Sequence, residues 1–202
     1  MAFHKEIYIM RHAQAEHNVN KDYNLKDPVL TEFGKDQARL LLLYYEQLKN
    51  VELIISSPMR RALETVMIGF DGFLDLKDQK HINYPSIPLI ILPELQETSD
   101  RNCDTCSSLE NLKSWFPSLD WSFCSQEQFI KTGFFAYEPS MLEKRAIWLR
   151  NWVSNRKENK ILIVSHLSFI KYLVDDPTYW QNLEIKKYII ETDSIFKQVS
   201  FS

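Results

Sequence analysis

A chain of 202 residues with 45% hydrophobic content carries enough apolar side chain to bury one sizeable core. With only four glycines and no Pro/Gly/Ser-rich stretch there is no linker at which to divide it, so it reads as one domain over residues 1–202. The formal net charge of −3 supplies no basic field, which excludes whole-surface attraction to nucleic acid or anionic lipid and makes any anion site a local one.

The opening residues, MAFHKEIYIM, lack the cationic start and long apolar segment of a signal peptide, and no stretch approaches the roughly 20 apolar residues of a membrane span. A soluble protein of the cytoplasm is expected, with the nucleus also open to it. The first strand candidate, "EIYIM" (6–10), runs directly into Arg11 and His12. Next, "TEFGKDQARLLLLYYEQLK" (31–49) predicts one crossover helix, capped by Thr31 and burying Ala38, Leu41, Leu42, Tyr45 and Leu48 on one face. A second apolar run, "ELIIS" (52–56), leads into "SSPMRRALETVMIGF" (56–70). There Ser57 is the expected cap, Pro58 the first helical residue, and Met59, Ala62, Leu63, Val66, Met67 and Phe70 the buried face. Its first turn carries Arg60 and Arg61.

A third strand, "PLIIL" (88–92), precedes residues 95–137, which have the poorest pattern and are expected to form an irregular insertion with short helices that caps the site. A further helix, "SMLEKRAIWLRNWV" (140–153), opens with Ser140 and Glu143 in capping-box spacing and buries Leu142, Ala146, Leu149 and Val153. The last strand candidate, "ILIVS" (161–165), ends at His166, where a helix should begin. Strand-length apolar runs alternating with helical segments give an α/β fold, three layers α/β/α around a mostly parallel sheet.

Three cysteines without a secretory signal fit a reducing compartment. Cys103 and Cys106 form a C-x-x-C pair that suits a redox couple or half a zinc site. A redox pair belongs at a strand-to-helix junction near the N-terminus, however, and zinc needs a second pair that Cys124 alone does not supply. They read as ordinary loop cysteines, and neither a metal nor a cofactor is expected.

In an open α/β sheet the ligand crevice lies beyond the carboxyl ends of the strands. Arg11 and His12, Arg60 and Arg61, and His166 all follow strand candidates, so a parallel sheet brings them to one rim, where arginines, imidazoles and a helix N-terminus describe an anion pocket. For Arg60 the plainer reading is a surface ion pair. His4, His17 and His81 read as solvated or structural, and the aromatics of "LKSWFPSLDWSF" (112–123) as a packed cap over the crevice.

In order along the chain, "IYIMRHAQAEHN", "DPVLTEFGKDQA", "LIISSPMRRALET", "LQE" and "IVSH" resemble the successive motifs of the histidine phosphatase superfamily, the phosphoglycerate mutase-like proteins, in the branch with short phosphatases. The resemblance runs from Ile7 to about Val174, and "RHAQ-x-x-HN" with "CDT" is most similar to fungal and plant phosphomutase-like members. It implies the phosphoglycerate mutase-like fold, His12 as the nucleophile that becomes a phosphohistidine, and Arg11, Asn18, Arg61 and His166 as the groups holding the phosphoryl oxygens. The L-x-E context implies Glu97 as the proton donor. Glu94, close by in the same segment, is the second choice.

The chain departs from the family pattern at Ala13, where glycine is usual, at Ala15, where many members have a serine or threonine that helps hold phosphate, and at Leu167, where a small residue is common. At Leu167 the backbone N–H remains available to an oxyanion. Family mutases also carry a basic extension after the L-x-E glutamate, whereas "TSDRNCDTCSS" (98–108) has only Arg101. The reading is therefore a phosphatase acting on a small phosphorylated substrate, with a phosphomutase second and a catalytically weak scaffold third. The substrate and the oligomeric state stay open.

Overall fold

A computed structural model describes residues 5–76, 86–190 and 195–200. Among the described residues six strands form one sheet: β1 (Lys5–Arg11), β2 (Leu53–Ser56), β3 (Leu89–Ile91), β4 (Lys160–Ser165), β5 (Ile185–Ile190) and β6 (Phe196–Val199), in the spatial order β3-β2-β4-β1-β5-β6. β3, β2, β4 and β1 are parallel neighbours, whereas β5 runs antiparallel to β1 and β6 antiparallel to β5. The α-helices among the described residues are α1 (Glu16–Asn20), α2 (Glu32–Arg39), α3 (Leu41–Tyr44), α4 (Arg60–Gly69), α5 (Leu109–Trp115), α6 (Pro139–Ser154) and α7 (Leu167–Val174).

The central strands are Ile/Leu/Val-rich because both of their faces are covered, and alternate residues feed two separate cores. Tyr8, Met10, Ile54, Leu162 and Val164 pack on one side against Leu41, Leu48 and the Ala62, Leu63, Val66 and Phe70 stripe of α4. Ile7, Ile9, Leu53, Ile55, Ile161 and Ile163 pack on the other against Ala146, Leu149 and Val153 of α6 and Phe169, Ile170 and Leu173 of α7. Each fully buried aliphatic side chain of this kind contributes about 1.5–3 kcal/mol, so the two faces together fix the sheet and with it the strand ends.

Four expectations are corrected. Residues 31–49 are not one helix: Thr31 does cap α2, its side chain accepting from the Gly34 N–H, but the chain breaks at Leu40 and again at Tyr45 into α3 and a 3-10 turn. Four consecutive leucines at 40–43 cover every side of a helix, and the break buries Leu41 and Leu48 while leaving Leu43 and Tyr44 exposed. The next helix begins at Arg60 with Met59 as cap, so Pro58 precedes it, and the Ser57 hydroxyl accepts from the Met59 amide at 3.3 Å. α6 begins with Pro139 in its first turn, which puts Ser140 and Glu143 inside the helix and removes the expected capping box. The antiparallel pair β5 and β6 extends the sheet beyond the four strands expected from the apolar runs.

One contact couples this frame to the residues after β1. A Cβ placed on Gly34 would lie 2.0 Å from the carbonyl oxygen of Gln14, two residues beyond His12. Gly34→Ala is expected to destabilise the protein by about 1–3 kcal/mol or more, read as a drop of several degrees in Tm, because backbone rather than a flexible side chain must give way. An unchanged Tm would contradict this close approach.

Candidate active site

Parallel register builds the site. β1 and β4 pair Arg11 with Ser165, so His12 and His166 are the next residues off adjacent strands; the His12 amide donates to the Ser165 carbonyl at 3.0 Å, and the two rings stand 5.1 Å apart. β2 ends alongside them, Ser56 opposite Val164, which leaves the Ser57 hydroxyl 2.8 Å from His166 Nε2. The first turn of α4 then carries Arg61 inward until its Nε donates to His12 Nε2 at 3.1 Å.

Hydrogen bonds fix the chemistry of the His12 ring. Its Nδ1 lies 2.7 Å from the Ala13 carbonyl, an acceptor only, so Nδ1 carries the proton and Nε2 presents its lone pair. Burial, then the Arg61 and Arg11 guanidiniums, hold its pKa well below the usual imidazole value and keep it neutral. His166, fully buried, is held down by burial, then Arg61 and His12, and its Nδ1 has no partner among the described residues. Arg61, 1% exposed, is oriented by the Cys103 carbonyl at 2.7 Å and Asp104 Oδ1 at 3.4 Å. Arg11 donates through one amino group to the Trp180 carbonyl at 2.7 Å and the Tyr179 hydroxyl at 3.3 Å, while its buried Nε is unpartnered among the described residues.

Glu97 sits at the N-terminus of α7. Its Oε1 accepts from the Thr98 and Phe169 amides at 2.9 and 3.0 Å, and its Oε2 from the Ser168 amide at 3.2 Å. Burial and the nearby Asp104 push its pKa above the ordinary carboxyl value against these amides, and Oε2, with one long bond, is the oxygen with room for a proton. Two cations grip the backbone that presents it: Arg145 donates to the Gln96 carbonyl at 2.8 Å and Lys131 to the Glu97 carbonyl at 2.6 Å.

These groups surround a cavity of about 460 Å³, lined by Arg11, His12, His17 and Asn18, by Lys21 and Tyr23, by Glu97, Arg101, Cys103 and Asp104, by Leu167 and Ser168, and by Tyr179 and Asn182. Arg61 and His166 are buried against His12. A larger groove of about 770 Å³ between Phe33, Leu40, Tyr44 and residues 181–184 shares only Asn182 with it and holds none of the candidate catalytic groups.

Of the residues singled out from sequence, Arg11, His12, Asn18, Glu97 and Leu167 line this cavity, and Arg61 and His166 contact His12. Asn18 is partly committed, accepting from the Ala15 amide and contacting His17. Glu94 is not at the cavity: its segment is a 3-10 turn, not extended, which buries its carboxyl with one oxygen unpaired among the described residues. Arg60 makes no ion pair among the described residues and instead stacks over Trp115 at 4.4 Å. Ala13 has negative φ, so its methyl adds no backbone strain.

One reading is overturned and another narrowed. The 112–123 aromatics do not wall the crevice: Trp121 joins the core beside Leu112 and Leu119, and Phe123 is exposed. The insertion reaches the cavity through Arg101, Cys103 and Asp104 instead. His17 is not solvated but 8% exposed in the cavity wall, its pKa lowered to about 3 by burial, then Arg61 and Arg11. His4 and His81 lie outside the described residues.

Sequence reasoning missed Ser57, Asp104 and the segment after α7. Asn182 Nδ2 donates to the His12 and Ala13 carbonyls at 3.1 and 3.3 Å, closing the loop that carries His12. Only the Asp176-Pro177 turn and the aromatic pair Tyr179-Trp180 signal such a segment in the lettering.

The chain matches the model of the histidine phosphatase superfamily (branch 1) over residues 7–197. It is 38% identical over 127 residues to a probable phosphatase of Schizosaccharomyces pombe, covering 61% of this chain and 55% of that protein. It is 30% identical over 204 residues to a phosphoglycerate mutase-like protein of Arabidopsis thaliana, covering 84% and 73%. The fold superposes on a phosphoserine phosphatase of Entamoeba histolytica, solved in complex with 3-phosphoglyceric acid, with a TM-score of 0.59 at 20% identity over 97% of this chain and 95% of that one. A family match running through both strand-end histidines and past β5 agrees with the sheet order and the rim it creates: the chain belongs to the histidine phosphatase superfamily, branch 1.

Proposed function

We propose that the protein hydrolyses a small phosphomonoester through a phosphohistidine formed on His12. The observation that carries this reading is the His12 ring itself: neutral, its proton tied to the Ala13 carbonyl, its Nε2 lone pair met by the Arg61 Nε–H, and the ring part of the cavity wall. A buried, neutral imidazole between two guanidiniums is a nitrogen nucleophile in a field that attracts a phosphate dianion.

Arriving phosphoryl oxygens replace His12 as the acceptor of the Arg61 Nε–H and accept from the Arg11 Nε–H, which has no partner among the described residues; this frees Nε2 to attack phosphorus in line. The P–N bond forms as the ester P–O bond breaks, and the leaving alkoxide takes the proton from Glu97. Glu97, now a carboxylate held by three amides, then removes a proton from water, whose oxygen displaces His12 and releases inorganic phosphate. Arg11, Arg61 and His166 supply positioning and charge stabilisation, from which phosphoryl transfer draws nearly all of its acceleration.

Substrates of small size fit a 460 Å³ cavity, and the names of similar proteins, a probable phosphatase and a phosphoserine phosphatase, support hydrolysis of such esters. The mutase-like name of the Arabidopsis relative keeps phosphoryl transfer within one substrate skeleton as the second reading. A panel of phosphorylated metabolites, each followed for inorganic phosphate and for positional isomers, separates the two. Phosphate release from at least one ester supports hydrolysis; isomer without phosphate identifies a mutase; silence across the panel overturns both.

A further inference from the structure

His17 has no task in the transfer described above, yet its hydrogen bonding leaves one donor without an acceptor among the described residues. The Ala15 amide can only donate, so the Asn18 amide atom 3.0 Å from it is the oxygen, and the same oxygen accepts from Asn182 Nδ2 at 3.2 Å. Asn182 is fixed in turn, because its nitrogen also faces two backbone carbonyls. This orientation presents Asn18 Nδ2 to His17 Nε2 at 3.0 Å, and since the amide nitrogen is a donor, Nε2 carries the lone pair and the ring proton is on Nδ1.

That Nδ1–H is buried with no hydrogen-bond partner among the described residues, although the ring stands in the wall of the cavity that holds His12 and Arg11. Its centroid lies 6.0 Å from that of His12. Buried donors are rarely left unmade, and an acceptor that satisfies one beside two guanidiniums is an anionic oxygen. The low pKa of the ring keeps it a neutral, single donor across the physiological range. The chain Asn182 to Asn18 to His17 is a donor relay whose last member stands in the wall of the cavity that holds His12.

We infer that His17 Nδ1–H is an oxyanion-binding donor that holds a non-bridging oxygen of the substrate's phosphoryl group beside His12. The inference rests on the phosphatase reading. Three variants test it by calorimetric binding of inorganic phosphate and by kcat and KM for p-nitrophenyl phosphate. His17→Phe, which keeps a ring without a donor, is expected to weaken phosphate binding and lower kcat/KM roughly ten- to a hundredfold, the usual loss for a hydrogen bond to a charged group. His17→Asn sets an amide N–H near the place of Nδ1 and is expected to stay within about threefold of wild type, whereas His17→Gln moves the donor one bond farther and is expected to fall with Phe.

If His17→Phe does not fold, the Asn and Gln variants carry the test alone. Equal phosphate affinity in those two, or wild-type affinity in a folded Phe variant, overturns the role of His17 and leaves the phosphatase reading standing. A wild-type protein that neither binds phosphate nor shows His12-dependent turnover overturns the phosphatase reading and this inference with it.

Discussion

His12→Ala is expected to lower phosphate release by at least about 10⁴-fold, with no ester on which the variant retains appreciable rate. The loss is that large because, among the described residues, this imidazole alone at the rim has a lone pair that is both neutral and fixed by a backbone carbonyl. Water without it must attack a dianion directly. The variant should remain folded, since Arg61 keeps the Cys103 carbonyl and Asp104 as partners and the surrounding core is untouched. Parallel measurement of Tm and of turnover checks both halves; turnover within tenfold of wild type would remove His12 from the reaction.

Glu97→Gln carries the second largest expected effect, and its signature is selectivity by leaving group. An alkyl phosphate, whose alkoxide cannot leave without a proton, should lose about 10²–10⁴-fold in kcat, while p-nitrophenyl phosphate, with its stable leaving phenolate, should lose far less. The pH dependence follows from the raised pKa of Glu97: the acid form persists to higher pH than in a free carboxyl and is lost as pH rises through the folded value. Alkyl ester turnover should therefore fall on the alkaline side in wild type, and that limb should vanish in the Gln variant. Equal losses on both substrates would assign Glu97 a structural part only.

The rim is legible in the sequence because its strands are. The runs "LIIS" (53–56) and "ILIVS" (161–165) are buried on both faces, so hydrophobicity alone finds them, and parallel pairing then puts their following residues together without any knowledge of side-chain contacts. The "IKKYII" of β5 is harder to see because lysines interrupt it, Lys187 pairing with Glu6 and Lys186 stacking on Trp180, which lowers its apolar signal. β6, with two exposed residues in four, is weaker still.

Within the site, the residues at strand ends can be read and those brought in by irregular chain cannot. His17 lies on a five-residue helix with no periodicity to report its direction, and Asn182 reaches His12 across 170 positions by a hydrogen bond that composition does not encode. Glu97 and Glu94 differ by three positions, and Glu94 is taken up in a 3-10 turn while Glu97 beyond it meets the cavity. Arg145 and Lys131, which hold the peptide carbonyls around Glu97, are equally invisible in the lettering because a buried arginine on α6 looks like a solvated one.

The proposed reaction stands on a covalent bond between phosphorus and His12 Nε2, which rapid quenching can trap. The wild-type protein is mixed with a turned-over ester carrying labelled phosphate, quenched at alkaline pH within a turnover, and digested for peptide mapping. Label that is stable to alkali, lost in acid and confined to the peptide containing His12 is the expected result. Label absent during steady turnover, or residing on any other residue, would contradict it.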